Sequence, residues 1–330
     1  MYDDDQIRDF LVGVGDEITD TMGKLIEDEQ FAGIANLLIY QTATGGKRLR
    51  PALAILVTQA LGGEKEETLE LAATFEMIHQ ASLAVDDVVD GDFLRRGKPS
   101  TPAVFGMAAA VMGGTTLFSL AIKLGLDKNV AIGRLLSDTL VKMATGNSEE
   151  ILVQKKYDED QYLRVIKLKT ASLFKAPCQM GAIISRSGEL QILAAKTYGE
   201  NVGMMYQVAD DLVDVLKTKT YEKPIGDMRE GKITYPLIHT YKNTQRDDIK
   251  KTIDAFRKKK QLSQDDWILL FDSMDKNESI KATEELITRY RDQAIQSLGV
   301  FPDNEYTQML KILPDYMKNA ILSEVPKLSS

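Results

Sequence analysis

With one cysteine, Cys178, in 330 residues, the chain cannot close an internal disulfide, and a reducing cytoplasm fits it best. The opening MYDDDQIRDF is acidic and has no signal-like pattern. Positive charge is in deficit: 41 Lys and Arg face 49 Asp and Glu, a net charge of −8. This balance argues against nucleic acid as a partner, because a phosphate backbone demands a basic surface. An anionic substrate would need a local basic patch. No Pro-, Gly- or Ser-rich linker divides the chain, so residues 1–330 are expected to form one domain. One stretch lacks charge altogether: Thr101 to Ile122 runs 22 residues without any, long enough to span a bilayer. Pro102, Gly106, Gly113, Gly114, Thr115 and Thr116 dilute its hydrophobicity, and no basic flank marks an inside. It is therefore read as a buried central helix, not as a transmembrane segment.

What is present is an acidic pattern on helices. From Thr68 to Val89 there is no Gly or Pro, and Leu71, Phe75, Ile78, Ser82, Val85 and Val89 follow the three-four spacing of a helix burying one face. Asp86, Asp87 and Asp90 stand near its carboxyl end. Positions four apart lie within roughly 40° of each other on a helix, so Asp86 and Asp90 project side by side. Their repulsion, and the negative end of the helix dipole, call for a cation. Mg²⁺ suits the pair, since it takes one or two carboxylates and completes its shell with water and phosphate oxygens. A single such cluster would be read as a solvated acidic helix end. The chain carries a second, Asp210, Asp211 and Asp214, about 120 residues downstream in GENVGMMYQVADDLVDVLKTKT, again after a helical apolar run. Two clusters on facing helices would make a site for several Mg²⁺ ions holding one diphosphate.

Basic residues stand in loops nearby. In GGKRLRP, two glycines let the chain turn, Lys47, Arg48 and Arg50 supply cations, and Pro51 suits the start of a helix whose N–H groups attract an anion. Arg95 and Arg96 follow the first acidic cluster in a loop; a guanidinium binds phosphate in a bidentate fork, though pairing with Asp90 or Asp92 is equally open. Pro177 should kink its helix. The loop around Lys223, Pro224, Gly226, Asp227, Gly231 and Lys232 reads as a lid. Arg257 to Lys260 reads as solvated surface. The N-terminal stretches Asp3 to Glu29 and Gln30 to Gln41 read as two amphipathic helices with nothing catalytic.

Five motifs taken together, GGKRLRP, IHQASLAVDDVVD with RRGKPST behind it, KTASLF, YQVADDLVD and KPIGDMREGKITYP, resemble the trans-isoprenyl diphosphate synthases, or polyprenyl synthetases, from about Leu37 to Pro236. The resemblance implies an all-α, single-domain helical bundle around a central cavity. It implies Mg²⁺ on Asp86, Asp90, Asp210 and Asp214, and ionisation of an allylic prenyl diphosphate whose carbocation is attacked by isopentenyl diphosphate. Lys47, Arg50, His79 and Arg96 match contacts to isopentenyl diphosphate; Arg95, Lys169 and Thr170 match contacts to the allylic diphosphate. Gln207 belongs to the YQVADDLVD motif, and Lys223 and Lys232 match lysines that close over the diphosphate. Without the resemblance, His79 would be read as a satisfied core histidine and Lys169 as a solvated one. A homodimer is the family habit, and some relatives need a small partner chain.

The same likeness places a product tunnel below Asp86, along Ser82 and Ala81, then Ile78 and Met77, then Phe75 and Thr74. No aromatic plug stands four or five residues before Asp86, so a product of twenty carbons or more is expected. Three residues depart from the family pattern: Val85 for a histidine, Thr115 for an aspartate and Asn147 for a glutamate. They motivate a rival reading as a weakly active or non-catalytic partner subunit. A terpene cyclase would not need the GGKRLRP site, and a purely structural acidic bundle would need none of the cations.

Overall fold

The structure is a computed structural model that describes residues 4–31, 33–43, 45–152, 157–221, 226–259 and 262–325. It is all-α, as expected, apart from one tiny hairpin. In chain order the helices are α1 (Asp4–Asp28), α2 (Ala35–Thr42), α3 (Leu49–Ala60) and α4 (Lys65–Asp90); then come strands β1 (Leu94–Arg95) and β2 (Lys98–Pro99). Next are α5 (Thr101–Phe105), α6 (Met107–Lys128), α7 (Val130–Leu152) and α8 (Glu159–Ile166), a π-helical turn at Lys167–Ala171, α9 (Ser172–Ile184) and α10 (Glu189–Tyr221). The remainder is α11 (Asp227–Glu230), α12 (Tyr235–Asn243), α13 (Asp247–Lys259), α14 (Gln264–Lys276), α15 (Ser279–Ser297) and α16 (Glu305–Leu322). The expected second N-terminal helix starts only at Ala35, after a turn.

Two compact units form. One comprises Met1–Ala144, Ser172–Gly199 and Ser297–Leu313; the other comprises Thr145–Ala171, Glu200–Gln296 and Pro314–Ser330. The chain passes from one to the other within or at the edge of helices, never through a linker.

In the first unit α4 is the axis, packed against α6, α3 and α1. Its apolar stripe predicts one buried face, yet from Leu71 to Ile78 every residue is buried. Each fully buried Phe75, Met77 or Ile78 contributes roughly 1.5–3 kcal/mol. That interior position holds the carboxyl end of α4, and with it the first acidic cluster, in a fixed place. Apolar packing likewise anchors the second unit, where Val215, Met228, Leu237, Ile249, Phe256, Trp267 and Leu270 form the core. Val215 lies one residue past Asp214, so this core grips the helix that carries the second cluster.

The uncharged stretch is not one buried helix. The chain breaks at Gly106, whose φ is +85°, and separates α5 from α6. α6 is long and apolar enough to cross a membrane by length and composition, and 33% of its apolar window is buried. Leu117, Leu120 and Ala121 face the interior, while Met107, Val111, Met112 and Leu126 are exposed. Gly113 and Gly114 supply the close approach to α2 and α4, and only one side of the helix is used for it. Pro177 sits inside α9 without ending it, and the break in helical pitch falls just upstream, at the π-turn.

Candidate active site

At the end of α4 the three aspartates separate by role. Asp87 is 3% exposed and accepts a hydrogen bond from Arg95 Nε at 2.7 Å and a second from its terminal amino group. Burial still pushes its pKa up, against the pull of Arg95. Asp86 is half-buried and Asp90 exposed, so these flanking carboxylates, one helical turn apart, reach solvent. Arg95 thus pairs with Asp87, and lies 4.0 Å from Asp92, rather than with Asp90.

The arginine pair sits on a hairpin, not in an irregular loop. Arg96 and Gly97 both have positive φ, +53° and +76°, the requirement of a two-residue type I′ turn. β1 therefore turns Arg95 toward α4, while Arg96 stands at the turn and donates to the Gly45 carbonyl. In GGKRLRP the three cations also part company. Arg48, with φ +45°, points inward and is 4% exposed; it donates to Glu76 at 2.7 Å and to the Thr42 carbonyl at 2.8 Å. Lys47 is exposed, and the half-buried Arg50 lies 4.5 Å over the Phe174 ring. His79, two turns before Asp86, is half-buried; desolvation, then Arg50, Arg96, Arg48 and Arg95, hold its pKa well below the usual histidine value. Burial and four neighbouring guanidinium charges thus favour the neutral imidazole.

Along the expected tunnel face, Ala81, Ile78 and Phe75 are completely buried, while Ser82 stays partly accessible and donates to the His79 carbonyl at 2.8 Å. Of the departures in this unit, Val85 packs toward α6 at Gly114, and Thr115 is exposed and bonded to its own helix.

In the second unit the balance is acidic. Asp211 is 3% exposed and accepts from Tyr162 Oη at 2.7 Å and from Gln207 Nε2 at 2.8 Å; Gln207 Oε1 in turn accepts from Thr170 Oγ1 at 2.7 Å. Burial and the Asp227 charge raise the Asp211 pKa well above the carboxylate range. Asp210 is open to solvent on one side and surrounded by protein on the others; that crowding, then the charges of Asp214 and Asp227, push its pKa up to about 7. Burial lifts Asp214 to about 6, although the Asp227 backbone N–H donates to it at 2.9 Å. Gly226 permits this approach: a Cβ there would fall 1.9 Å from Asp214 Oδ2. The described part of the expected lid is thus a helical turn bonded to α10. Lys223 lies outside the described residues.

The cations here are engaged by acids. Lys232 meets Glu230 at 2.6 Å and Asp227 at 3.1 Å; burial lowers its pKa, but Asp227, Glu150 and Glu230 outweigh that and raise it. Lys169 meets Glu150 at 2.7 Å. The buried Oδ1 of Asn147, the third departure, has no hydrogen-bond partner among the described residues. Beside it, Gly146 lets α7 meet the π-turn, since a Cβ would lie 2.6 Å from the Lys169 nitrogen. Sequence reasoning missed Tyr162, Glu150 and the Asp227 N–H. Only Tyr162 left a trace, two helical turns before Lys169.

Among the described residues no three His, Cys, Asp or Glu side chains gather closely enough to enclose a metal. Mg²⁺ does not need such a cage, because it keeps waters and takes few carboxylates. Asp210 and Asp214, two carboxylates four positions apart whose pKa values burial raises first, suit a hard divalent ion, as do Asp86 and Asp90.

The fold is that of the all-α isoprenyl synthases. A crystal structure of a decaprenyl diphosphate synthase from Rhodobacter capsulatus superposes with a TM-score of 0.86 at 28% identity, over 98% of this chain and 100% of that one. Residues 32–268 match the family described as polyprenyl synthetase, and the chain belongs to it, a family of prenyltransferases. Octaprenyl diphosphate synthase of Haemophilus influenzae is 31% identical over 285 residues, 84% of this chain and 85% of that protein. Heptaprenyl diphosphate synthase component 2 of Bacillus subtilis is 32% identical over 280 residues, 83% and 78% of the two chains.

Proposed function

We propose that the protein condenses isopentenyl diphosphate head-to-tail with an allylic prenyl diphosphate, releasing pyrophosphate and a trans-prenyl diphosphate of twenty carbons or more. The observation that carries this reading is common to both acidic motifs. In each, the middle aspartate is buried and held by side-chain donors, while the outer two, four positions apart, are more exposed.

Mg²⁺ held by Asp86, Asp90, Asp210 and Asp214 would neutralise charge on the leaving diphosphate. Arg95, Lys169 and Lys232, with Lys223, bind the allylic diphosphate, and for Lys169 and Lys232 this means exchanging Glu150, Asp227 and Glu230 for phosphate oxygens. Lys47, Arg50, Arg96 and the neutral His79 hold isopentenyl diphosphate, the imidazole as an N–H donor. Donors arranged beforehand around developing negative charge do the catalytic work. The allylic C–O bond breaks, the isopentenyl double bond attacks the freed carbon, and the adduct loses a proton to the departing pyrophosphate. Residues 1–330 act as one catalytic domain in the cytoplasm, consistent with the free, buried Cys178. A second copy covers the exposed apolar face of α6, making a homodimer.

Purified chain incubated with Mg²⁺, isopentenyl diphosphate and farnesyl diphosphate should yield longer prenols after dephosphorylation, read by mass spectrometry. No extension, with Mg²⁺-dependent farnesyl diphosphate binding retained, would replace this reading by a second one: a prenyl-diphosphate-binding subunit of a heteromeric synthase. The name "component 2" of the Bacillus subtilis relative favours that alternative.

A further inference from the structure

The hydrogen bonds around Asp211 all run in one direction. Tyr162 Oη donates to Asp211 Oδ2 at 2.7 Å, Gln207 Nε2 donates to Asp211 Oδ1 at 2.8 Å, and Thr170 Oγ1 donates to Gln207 Oε1 at 2.7 Å. A carboxylate only accepts, so it fixes which end of the Gln207 amide faces it, and the other end must then be the carbonyl that takes the Thr170 hydrogen. Buried networks of this kind specify one arrangement when every member is satisfied. Thr170 is buried, at the end of a π-turn, and its hydroxyl hydrogen is committed. What it can offer a ligand is oxygen lone pairs.

We infer that Tyr162 and Asp211 are positioning residues: through Gln207 they set the sense of the Thr170 hydroxyl, and Asp211 is an anchor of this chain of bonds, not a metal ligand. An oxygen presented without its hydrogen favours positive charge and disfavours a diphosphate oxygen. Lys169 then supplies the diphosphate contact of this segment. The inference rests on the prenyl transfer proposed above.

Two variants separate direction from mere presence of the chain. In Asp211→Asn, the new amide can accept from Tyr162 but presents N–H to Gln207, which turns the Gln207 amide and makes Thr170 an acceptor with its hydrogen toward the ligand. Tyr162→Phe removes one donor and leaves the sense unchanged. The expected kcat losses are about 100-fold for Asp211→Asn and about tenfold or less for Tyr162→Phe, on the scale of charge-assisted buried hydrogen bonds. KM for the allylic diphosphate and Mn²⁺ affinity by electron paramagnetic resonance should stay within about twofold of the parent, because neither variant touches uniform binding. Asp210→Asn serves as the contrast that weakens Mn²⁺. Independently of turnover, the side-chain amide protons of Gln207 in ¹⁵N-glutamine-labelled protein should shift upfield in Asp211→Asn, having lost their carboxylate.

Loss of Mn²⁺ binding in Asp211→Asn equal to that in Asp210→Asn would overturn the anchor role. So would unchanged kcat in both variants of an active parent, or an unmoved Gln207 resonance. A parent chain that turns over nothing would count against the proposed function instead, and the Mn²⁺ and amide measurements would still decide the anchor. Circular dichroism checks folding, and Tyr162→Phe keeps the test alive if Asp211→Asn fails to fold.

Discussion

The same five-residue acidic pattern ends α4 and recurs inside α10, and the two copies live in opposite surroundings. On α4 the middle carboxylate, Asp87, is met by a cation, Arg95, and four arginines crowd His79 nearby. On α10 the middle carboxylate, Asp211, accepts from two neutral donors, Tyr162 and Gln207, with Asp227 adding negative charge. The first copy belongs to a cation-rich region; the second is an excess of carboxylates. Periodicity decides which acids share a face, but the packed neighbours decide which of them still need a cation.

The difference can be broken or sharpened by experiment. Asp210→Asn or Asp214→Asn should lower prenyl extension about 1,000-fold, the scale of losing a preorganised electrostatic group. Asp87→Asn should cost only about tenfold, by loosening Arg95. Equal losses in steady-state assays would erase the distinction between middle and outer acids.

The next effect is on stability. Arg48 and Glu76 form a pair 3% and 2% exposed, so Glu76→Ala strands a buried guanidinium and should cost about 3–5 kcal/mol in urea unfolding. A loss under about 1 kcal/mol would show that Arg48 finds water.

A smaller effect is the pH dependence of the metal-free protein. Folded Asp210 and Asp214 keep protons up to about 7 and about 6, while unfolded carboxylates release them near ~4. The folded form binds more protons across that window, so in EDTA this contribution to stability falls as pH rises from about 4 to 7. Asp210→Asn should flatten the fall, and Mg²⁺ should reverse it at neutral pH. A thermal-melt series in which Asp210→Asn changes nothing would place the pair in a better-solvated setting.

The smallest change concerns a task only α4 is proposed to carry. Ser82→Phe, at the accessible position of the tunnel face, should shorten the prenol distribution by at least one isoprene unit. An unchanged mass spectrum would move the tunnel off this side of α4.

Much of this was legible beforehand. The absence of Gly and Pro between Thr68 and Val89, with apolar three-four spacing, announced α4, and i, i+4 geometry alone put Asp86 beside Asp90 and Asp210 beside Asp214. The sorting of Lys47, Arg48 and Arg50 was not legible. Three cations in four residues look alike until a left-handed turn at Arg48 sends it to Glu76, 28 positions away. Nor was the exposed side of α6: composition says apolar, and only packing shows that α4 and α2 cover one face and leave Met107 and Met112 outside.

By itself the sequence determined the all-α class, the two acidic clusters on helices and the cations brought by Gly-rich turns, because these follow from local periodicity and backbone freedom. Only the tertiary structure decided that Asp87 and Asp211 are buried and held by side-chain donors while Asp90 and Asp210 are exposed. Hydrogen-bond partnership and desolvation depend on which side chains meet in space, and Arg95 and Tyr162 reach their aspartates through a hairpin and a separate helix that no local pattern encodes.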